Sequence, residues 1–210
     1  MPRMTERTAA DLIPPKPSLE SLRDLARGCT ACDLYKRGTQ TVFGAGAAKA
    51  KVILVGEQPG NDEDLAGLPF VGPAGKLLDK SLEEAGIDRA AVYVTNVVKH
   101  FKWEGRGKRR IHKKPSAGEI HACLPWLEAE LAVIRPRLVV CLGATAARAI
   151  MGRRFRVTQN RGEVLESPLG IPVVATVHPS SILRAPDDAT RRRERAHFVE
   201  DLKVVAKAMG

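Results

Sequence analysis

The sequence predicts an α/β protein, a three-layer α/β/α sandwich around a central four-stranded parallel sheet, because two kinds of pattern alternate along it. Continuous apolar, β-branched runs are typical of strands covered on both faces, and they lie at residues 51–56, 91–95, 137–143 and 171–177. Segments with apolar residues at helical spacing precede, separate or follow these runs, at residues 19–27, 73–85, 116–134, 144–151 and 192–209.

The boundaries of the domain follow from composition and from helix-start signals. Ser116 is followed three residues later by Glu119, which is a capping-box pattern and predicts a helix start. The first eighteen residues are polar and dotted with prolines, so we expect residues 1–18 to form a flexible N-terminal tail. Residues 19–210 are then expected to form a single domain that carries a basic loop at residues 102–114.

The charge balance favours a polyanionic partner. The chain of 210 residues has 34 Lys and Arg against 24 Asp and Glu, a formal net charge of +10. Such an excess favours binding to nucleic-acid phosphates through counterion release. The sequence has no long apolar segment and no signal-peptide pattern. We therefore expect a cytoplasmic, nucleoid-associated protein without a membrane partner. We also expect a monomer.

The strongest local charge signal is the basic loop, residues 102–114, in which seven of thirteen residues are Lys or Arg. Cations so close together repel one another, so the segment is expected to be solvated and to approach a polyanion. His112 lies inside this run. It is either one more phosphate contact or a reactive group that the loop carries to a site.

Polar side chains follow three of the four predicted strands. Glu57 comes directly after the first strand, Asn96 after the second and His178 after the fourth, whereas residues 143–145 after the third offer no such group. Ligands of open α/β sheets bind at the carboxyl ends of the strands. The sequence therefore predicts that a carboxylate, an amide and an imidazole meet in one pocket.

The cysteines indicate a metal site. Cys29 and Cys32 form a Cys-x-x-Cys pair, Cys123 lies in the helix after the basic loop, and Cys141 is embedded in an apolar strand, where a core role is expected. His100 is the best candidate for a fourth donor. Disulfides are disfavoured because nothing indicates secretion. The spacing alone favours zinc, held by three Cys and one His, at least as much as an iron–sulfur cluster.

Several separated motifs then resemble one family. They are Gly56-Glu57-Gln58-Pro59-Gly60, the run at residues 68–75, Thr95-Asn96 and His178-Pro179-Ser180-Ser181. Together they resemble the uracil-DNA glycosylase superfamily, with its iron–sulfur (family-four) branch as the nearest broad match. Lys108-Arg109-Arg110-Ile111-His112, with Gln58, resembles the UdgX subfamily. The resemblance runs from about Cys29 to the C-terminus.

The resemblance implies removal of uracil from DNA, with the nucleotide flipped into the pocket. Phe70 would stack on the uracil, Asn96 would read its O4/N3 edge, Gln58 would also contact it, and His178 would bind O2 and stabilise the departing base. Glu57 would face the positive charge that develops on the sugar. The residues expected to contact DNA are Lys108, Arg109, Arg110, Ser180 and Ser181. The implied partner is uracil-containing DNA, with single strands preferred.

For His112, the resemblance implies capture of deoxyribose C1′ and a covalent protein–DNA adduct. The catalytic residues would then be Glu57, His112 and His178, and the cationic neighbours of His112 would help to keep its ring neutral. One alternative is a multiple-turnover glycosylase that uses water, with His112 only contacting DNA. A second alternative is a non-catalytic, metal-containing DNA-binding protein.

The resemblance also implies a cofactor, a structural 4Fe–4S cluster held by Cys29, Cys32, His100 and Cys123. His100 stands where the family-four relatives have a cysteine, and the UdgX-like members resemble this chain in having histidine there. Zinc is the alternative. A structural role is favoured because glycosidic cleavage needs no electron transfer.

Overall fold

The computed structural model describes residues 7–107 and 109–209, and within them the chain forms a six-stranded sheet and a separate hairpin. The strands are β1 (Ala45–Gly46), β2 (Val52–Gly56), β3 (Val92–Asn96), β4 (Trp103–Arg106), β5 (Arg109–His112), β6 (Leu138–Leu142), β7 (Val164–Leu165) and β8 (Val173–Thr176). The sheet order is β1-β3-β2-β6-β8-β7. Its four central strands are parallel, as predicted, and the two-residue strands β1 and β7 pair antiparallel at the edges.

Helices cover both faces of this sheet. They are α1 (Leu19–Arg27), α2 (Asn61–Ala66), α3 (Pro73–Glu84), α4 (Ala117–Ile134), α5 (Ala144–Met151), α6 (Pro179–Leu183) and α7 (Asp188–Met209). The predicted capping box at the start of α4 is present. No helix in the described ranges is long and apolar enough to cross a membrane.

The core divides into two clusters, one on each face of the sheet. Successive residues of β2 alternate between them: Ile53 and Val55 pack with α1, α4 and α5, while Val52 and Leu54 pack with α3 and α7. All four side chains are fully buried. A strand buried on both faces reads as a continuous apolar run, which is why the sequence predicted these strands well. The three-layer α/β/α sandwich is confirmed.

The predicted N-terminal tail is corrected in part. Ala9–Leu12 forms a 3₁₀ helix whose first turn is capped by the hydroxyl of Thr8. Ala9 is fully buried in the core cluster beside α4. The prediction of a flexible tail over residues 1–18 is therefore wrong for this helix, because a small apolar side chain there fills space in the core. Residues 1–6 lie outside the described residues.

The predicted basic loop is a β-hairpin. Strands β4 and β5 pair antiparallel with Trp103 opposite His112, and a backbone hydrogen bond from Lys113 N to Lys102 O closes the base at 2.9 Å. Gly107 at the turn has a φ of +59°, which favours glycine. The cations are thus presented on an ordered ribbon, which the charge pattern alone did not reveal.

Candidate active site

The carboxyl ends of the parallel strands open into a cavity of about 630 Å³, a size suited to a small molecule. The sheet register brings its walls together, since Gly56 at the end of β2 pairs with Asn96 at the end of β3. The predicted pocket residues that line the cavity are Glu57, Gln58, Phe70, Asn96, His112 and His178. The predicted convergence of a carboxylate, an amide and an imidazole at this edge is therefore present.

Two glycines allow an aromatic ring and an amide to approach each other. A Cβ on Gly56 would lie 2.3 Å from Asn96 Oδ1 and 2.8 Å from Phe70 Cζ, so β2 has to end without a side chain. A Cβ on Gly75 would lie 1.6 Å from the backbone oxygen of Phe70. Phe70 itself has a φ of +58°, a strained backbone of the kind that clusters at functional sites. Its ring stacks near His178, with centroids 6.1 Å apart.

The amide of Asn96 is prepared for a ligand. Its Oδ1 is buried and has no hydrogen-bond partner among the described residues. Leaving a buried acceptor unpaired costs about 1–3 kcal/mol, so this oxygen is available to accept a hydrogen bond from a ligand or a water molecule that enters the cavity. A side-chain amide presents one acceptor beside one donor. The Asn96 amide can therefore pair with a planar ring whose edge offers one donor beside one acceptor.

His178 is held as a neutral hydrogen-bond donor. The Ser180 backbone N–H donates to His178 Nδ1 at 3.1 Å, and Ser180 Oγ lies 2.8 Å from the same atom. An accepting Nδ1 places the proton of the neutral ring on Nε2. Burial, with smaller contributions from Arg184 and His112, lowers the pKa of His178 to about 4. The ring is therefore uncharged at neutral pH.

The same contacts revise the role of the two serines, for which the sequence predicted DNA contacts. Ser180 fixes the tautomer of His178, and Ser181 Oγ donates to the backbone oxygen of His178 at 2.7 Å. Both therefore hold the turn that carries the histidine into α6. Ser181 is exposed and Ser180 lines the cavity, so the contacts of both serines with DNA stay predictions.

Glu57 is oriented between two groups. Thr145 Oγ1 donates to Glu57 Oε2, while Glu57 Oε1 lies 3.6 Å from His112 Nε2. That second separation is too long for a hydrogen bond, so neither atom is committed to the other. Thr145 lies in the first turn of α5, at the strand end where the sequence indicated nothing of interest. It is a site residue that the sequence reasoning missed.

His112 is favoured in its neutral form, for a reason other than the predicted one. Partial burial is the main cause that lowers its pKa; the charge of Glu57 opposes this, and Arg184 lowers the pKa further. The cationic neighbours of His112 in the hairpin are not among these causes. The prediction of a neutral ring thus agrees with the structure, whereas the predicted origin of the effect is corrected.

Gln58 braces the hairpin. Its Nε2 donates to Lys102 O at 3.2 Å and to Lys113 O at 3.0 Å, and its Oε1 accepts from Lys102 N at 3.1 Å. Both N–H groups and the oxygen of the amide are thus used on the backbone where the hairpin leaves the domain. The amide is thus engaged by the hairpin, while Gln58 also lines the cavity, so its contact with a ligand stays a prediction.

Arg110 also holds the hairpin, although the sequence predicted a DNA contact. Its Nη1 lies 2.6 Å from Asp64 Oδ2 and 3.1 Å from Thr39 Oγ1, and its Nε donates to Asn61 Oδ1 at 2.8 Å. Asp64 is fully buried and also accepts from the Thr39 backbone. The guanidinium is therefore an internal clamp between β5, α2 and the segment before β1.

The remaining hairpin cations divide into paired and unpaired groups. Those exposed and without an ion pair in the described part of the chain are Arg106, Arg109 and Lys114. Lys108, also predicted to bind DNA, lies outside the described residues. Trp103 donates its indole N–H to Arg37 O at 2.9 Å, so its ring packs against the domain under the hairpin.

We expect Arg110→Ala to destabilise the protein by about 3 kcal/mol, because it leaves the buried carboxylate of Asp64 without its partner. Denaturant unfolding measures the change. Arg109→Ala is the matched control, since this exposed neighbour should change the free energy of unfolding by less than about 0.5 kcal/mol. Equal stability of the two variants would contradict the clamp.

Two further residues lie at the cavity: Glu63, for which the sequence predicts a place near the pocket or at a helix cap, and Arg184, which carried no assignment from the sequence. The Glu63 carboxylate accepts from Gly60 N at 3.1 Å and from Gly72 N at 2.8 Å, tying the loop after β2 to the loop before α3. A signal existed, since Gly60 and Glu63 have the spacing of a helix N-cap and its N3 partner. Arg184 lines the cavity just after α6 and gave no such signal.

The three predicted thiol ligands lie within electrostatic reach of one another. Burial raises the pKa of Cys123 to about 12, and Cys32 and Cys29 contribute to the rise. N–H groups point at two of the sulfurs, from Lys99 N to Cys123 Sγ at 3.2 Å and from the Trp126 indole to Cys29 Sγ at 3.4 Å. Such donors are typical around metal-bound thiolates. Cys141 is fully buried in the core, as predicted.

The tautomer of His100 suits a ligand. Thr41 Oγ1 donates to Ala26 O at 2.8 Å, so this hydroxyl accepts from His100 Nε2, which lies 3.0 Å away. A proton on Nε2 leaves Nδ1 with a lone pair. Burial also lowers the pKa of His100, which favours the neutral ring.

The donor chemistry thus fits a thiolate- and imidazole-bound group. Over residues 7–107 and 109–209, however, no group of three or more His, Cys, Asp or Glu side chains forms a site that could hold a metal ion. Both the presence of a bound group and its identity stay predictions.

The fold and the site define a class of protein, an α/β protein with a cavity at the carboxyl ends of its parallel strands beside a basic hairpin. Residues 43–203 match the model of the Uracil DNA glycosylase superfamily, and the chain belongs to this superfamily. It is 36% identical over 202 residues to the type-4 uracil-DNA glycosylase of Archaeoglobus fulgidus, covering 91% of this chain and 95% of that protein.

Other relatives agree. The type-4 uracil-DNA glycosylase of Thermotoga maritima is 38% identical over 175 residues, covering 83% of this chain and 88% of its own. A type-5 uracil-DNA glycosylase of Pyrobaculum aerophilum is 29% identical over 183 residues, covering 79% of this chain and 77% of that protein. The superfamily inferred from the motifs is thereby confirmed, and the type-4 relatives agree with its family-four branch. The resemblance to the UdgX subfamily stays a prediction.

Proposed function

We propose that this protein flips uracil out of DNA, cleaves its N-glycosidic bond and traps the deoxyribose C1′ covalently on His112. The superfamily membership and the names of its relatives support the excision of uracil. One observation supports the trapping step above all: the ring of His112 lies at the cavity with Nε2 only 3.6 Å from the Glu57 carboxylate.

Recognition of the base would use three side chains. Phe70 provides the aromatic wall on which the flipped base stacks. Asn96 offers its unpaired Oδ1 to the N3–H of uracil and its N–H₂ to O4, and cytosine lacks this donor at N3. His178 donates its Nε2 proton to O2, where negative charge collects as the base departs.

Cleavage of the glycosidic bond develops positive charge on the sugar. Glu57 is the carboxylate at the cavity that can face this charge, and its bond from Thr145 leaves Oε1 directed to the side of His112. Fixed charge of this kind stabilises a transition state without reorganisation during the reaction.

Capture would follow from the neutral state of His112. The C1′–N1 bond breaks and its electron pair leaves with uracil, while the lone pair of His112 Nε2 forms a bond to C1′. The alkylated ring gives up its Nδ1 proton, and the uracil anion takes up one proton, so protons balance. The hairpin is clamped by Gln58 and Arg110, which keeps the ring at the site before DNA arrives.

The DNA strand would approach over the hairpin. The exposed cations Arg106, Arg109 and Lys114, which have no ion pair in the described part of the chain, offer phosphate contacts, and Lys108, outside the described residues, stays a candidate. We propose single-stranded DNA as the preferred substrate and a monomer as the active form. A flipped base is reached at lower cost in a single strand than in a paired duplex.

We also propose a 4Fe–4S cluster on Cys29, Cys32, His100 and Cys123, with zinc as the alternative. The free Nδ1 of His100 and the N–H donors at two sulfurs support this donor set. When bound, the cluster would tie the segment after α1 to α4 and to the chain before the hairpin. Its role would be structural.

The pH dependence of trapping should follow the two neutral imidazoles. The pKa of His112 and that of His178 are both lowered, so each ring stays neutral until the pH falls below the ordinary value of about 6.5. Single-turnover rates should be flat near neutral pH and fall only under more acidic conditions. A rate that is already halved at or above pH 7 would contradict the proposed neutral nucleophile.

One experiment distinguishes the three functional hypotheses, which are covalent trapping, hydrolysis by water and DNA binding without catalysis. The protein is incubated with a single-stranded oligonucleotide that carries one uracil and is run on denaturing gels before and after alkali. A denaturant-stable shifted band supports trapping. Abasic product in excess of protein supports a glycosylase that uses water, and neither product supports a DNA-binding protein without catalysis.

A further inference from the structure

A buried ion pair lies beside the end of β3, and the steps proposed above do not use it. Lys99 Nζ is 2.6 Å from Glu130 Oε2, and the two side chains are 1% and 0% exposed. Desolvation largely offsets the attraction within buried ion pairs, so they add little net stability. The contacts of the pair, rather than its net stability, therefore indicate what it does.

Each donor of the ammonium group is used. Lys99 Nζ donates to Glu130, to Thr95 Oγ1 at 2.6 Å and to the backbone oxygen of Asn96 at 2.8 Å. A lysine ammonium has three N–H groups, so its position is fixed in three directions. The ring of Phe43 lies 5.3 Å from the nitrogen as a further contact.

Glu130 is fixed as firmly. Its Oε1 accepts from the Tyr93 hydroxyl at 2.8 Å and from Gly44 N at 3.2 Å. A Cβ on Gly44 would lie 2.4 Å from the same oxygen, so only glycine leaves room for the carboxylate. Burial, together with Glu130, raises the pKa of Tyr93, which keeps its hydroxyl a donor.

The backbone that Lys99 grips connects two functional regions. Val98 N donates to the backbone oxygen of Glu57 at 3.0 Å, and Lys99 N donates to Cys123 Sγ at 3.2 Å. Asn96, whose backbone oxygen is held by Nζ, is the residue with the unpaired amide oxygen in the cavity. A shift of this turn would therefore move the amide relative to Glu57.

We propose that Lys99, fixed by Glu130, is a positioning residue for base recognition. It holds the end of β3 so that the Asn96 amide faces the flipped base at a set distance from Glu57. This inference rests on the proposed excision of uracil. Without the ammonium group, the Asn96 backbone loses a bond in one direction and the amide is free to shift.

The test uses the full chain as Lys99→Met, Glu130→Gln and the double variant. Each single change leaves one buried charge alone and is expected to lower the unfolding temperature strongly. The double variant has no lone charge and is expected to recover most of that loss. Leu202→Ala, which changes a fully buried side chain on α7, is the stability control.

Two readouts distinguish positioning from a merely structural role. In the folded double variant, the single-turnover rate of uracil release should fall about 10- to 100-fold, with DNA affinity nearly unchanged, because a small misplacement of reacting groups has effects of this size. Leu202→Ala should keep the wild-type rate.

The second readout needs no cleavage. Deoxyuridine with fluorine at the 2′ position resists cleavage because fluorine disfavours positive charge on the sugar. The wild type should bind an oligonucleotide with this nucleotide more tightly than the same oligonucleotide with the cytosine counterpart. In the double variant the ratio of these two affinities should fall about tenfold, because the Asn96 amide is misplaced. A folded double variant with wild-type rate and base preference would overturn the inference. Absence of uracil release and of base preference in the wild type would overturn the proposed function itself.

Discussion

His112→Ala abolishes the denaturant-stable DNA adduct and leaves uracil excision measurable, if the ring of His112 is the nucleophile. The reason is that Glu57, Asn96 and His178 remain in place to recognise the base and stabilise the transition state, whereas the group that bonds to C1′ is gone. Water then captures the sugar. The expected product is free abasic DNA, and each protein molecule should complete several turnovers.

The measurement is a denaturing gel of uracil-containing oligonucleotide, quantified against the amount of protein. Arg109→Ala is the matched control, because this exposed neighbour makes no ion pair within the described ranges and should weaken DNA binding without preventing the adduct. A shifted band that persists in His112→Ala would remove the histidine from the mechanism.

Glu57→Gln is expected to slow uracil excision about 100- to 1,000-fold, the typical effect of losing one preorganised electrostatic group. The substitution keeps the size of the side chain and removes the charge that faces the developing cation. Single-turnover release of uracil measures the rate. The affinity for DNA should change little, since the proposed role of the carboxylate is at the sugar and not at a phosphate.

Thr145→Val provides the comparison for Glu57. It retains the carboxylate but removes the hydroxyl that orients Oε2, so a smaller loss of about tenfold is expected from misorientation. Excision by Glu57→Gln within threefold of the wild type would contradict the proposed electrostatic role. Equal losses in the two variants would show that orientation, rather than charge, limits the rate.

Much of the fold was accessible from the sequence because the central strands are buried on both faces. Such strands appear as continuous apolar runs, and their parallel order places Glu57, Asn96 and His178 at one edge. The two-residue strands β1 and β7 were missed because so short a segment has no periodicity. Ala9 was assigned to a tail because its burial depends on packing against a distant helix.

The site was predicted less completely, and the reason is long-range contact. Arg110 looks like a phosphate ligand in a basic run, and only its contact with Asp64, distant in sequence, identifies it as a clamp. Gln58 looks like a base reader in its motif, but the folded hairpin occupies its amide. Thr145 contacts Glu57 only because the fold places the start of α5 beside the end of β2. Local patterns therefore located the pocket, and tertiary contacts assigned the supporting roles.

The most direct test of the account identifies the residue that carries the deoxyribose. After reaction with the uracil oligonucleotide, nuclease and trypsin digestion followed by mass spectrometry reads the modified peptide. We expect one adducted peptide, Ile111-His112-Lys113, with the sugar on the imidazole. A deoxyribose on Lys114 or any other residue, or abasic DNA with no modified peptide, would contradict it.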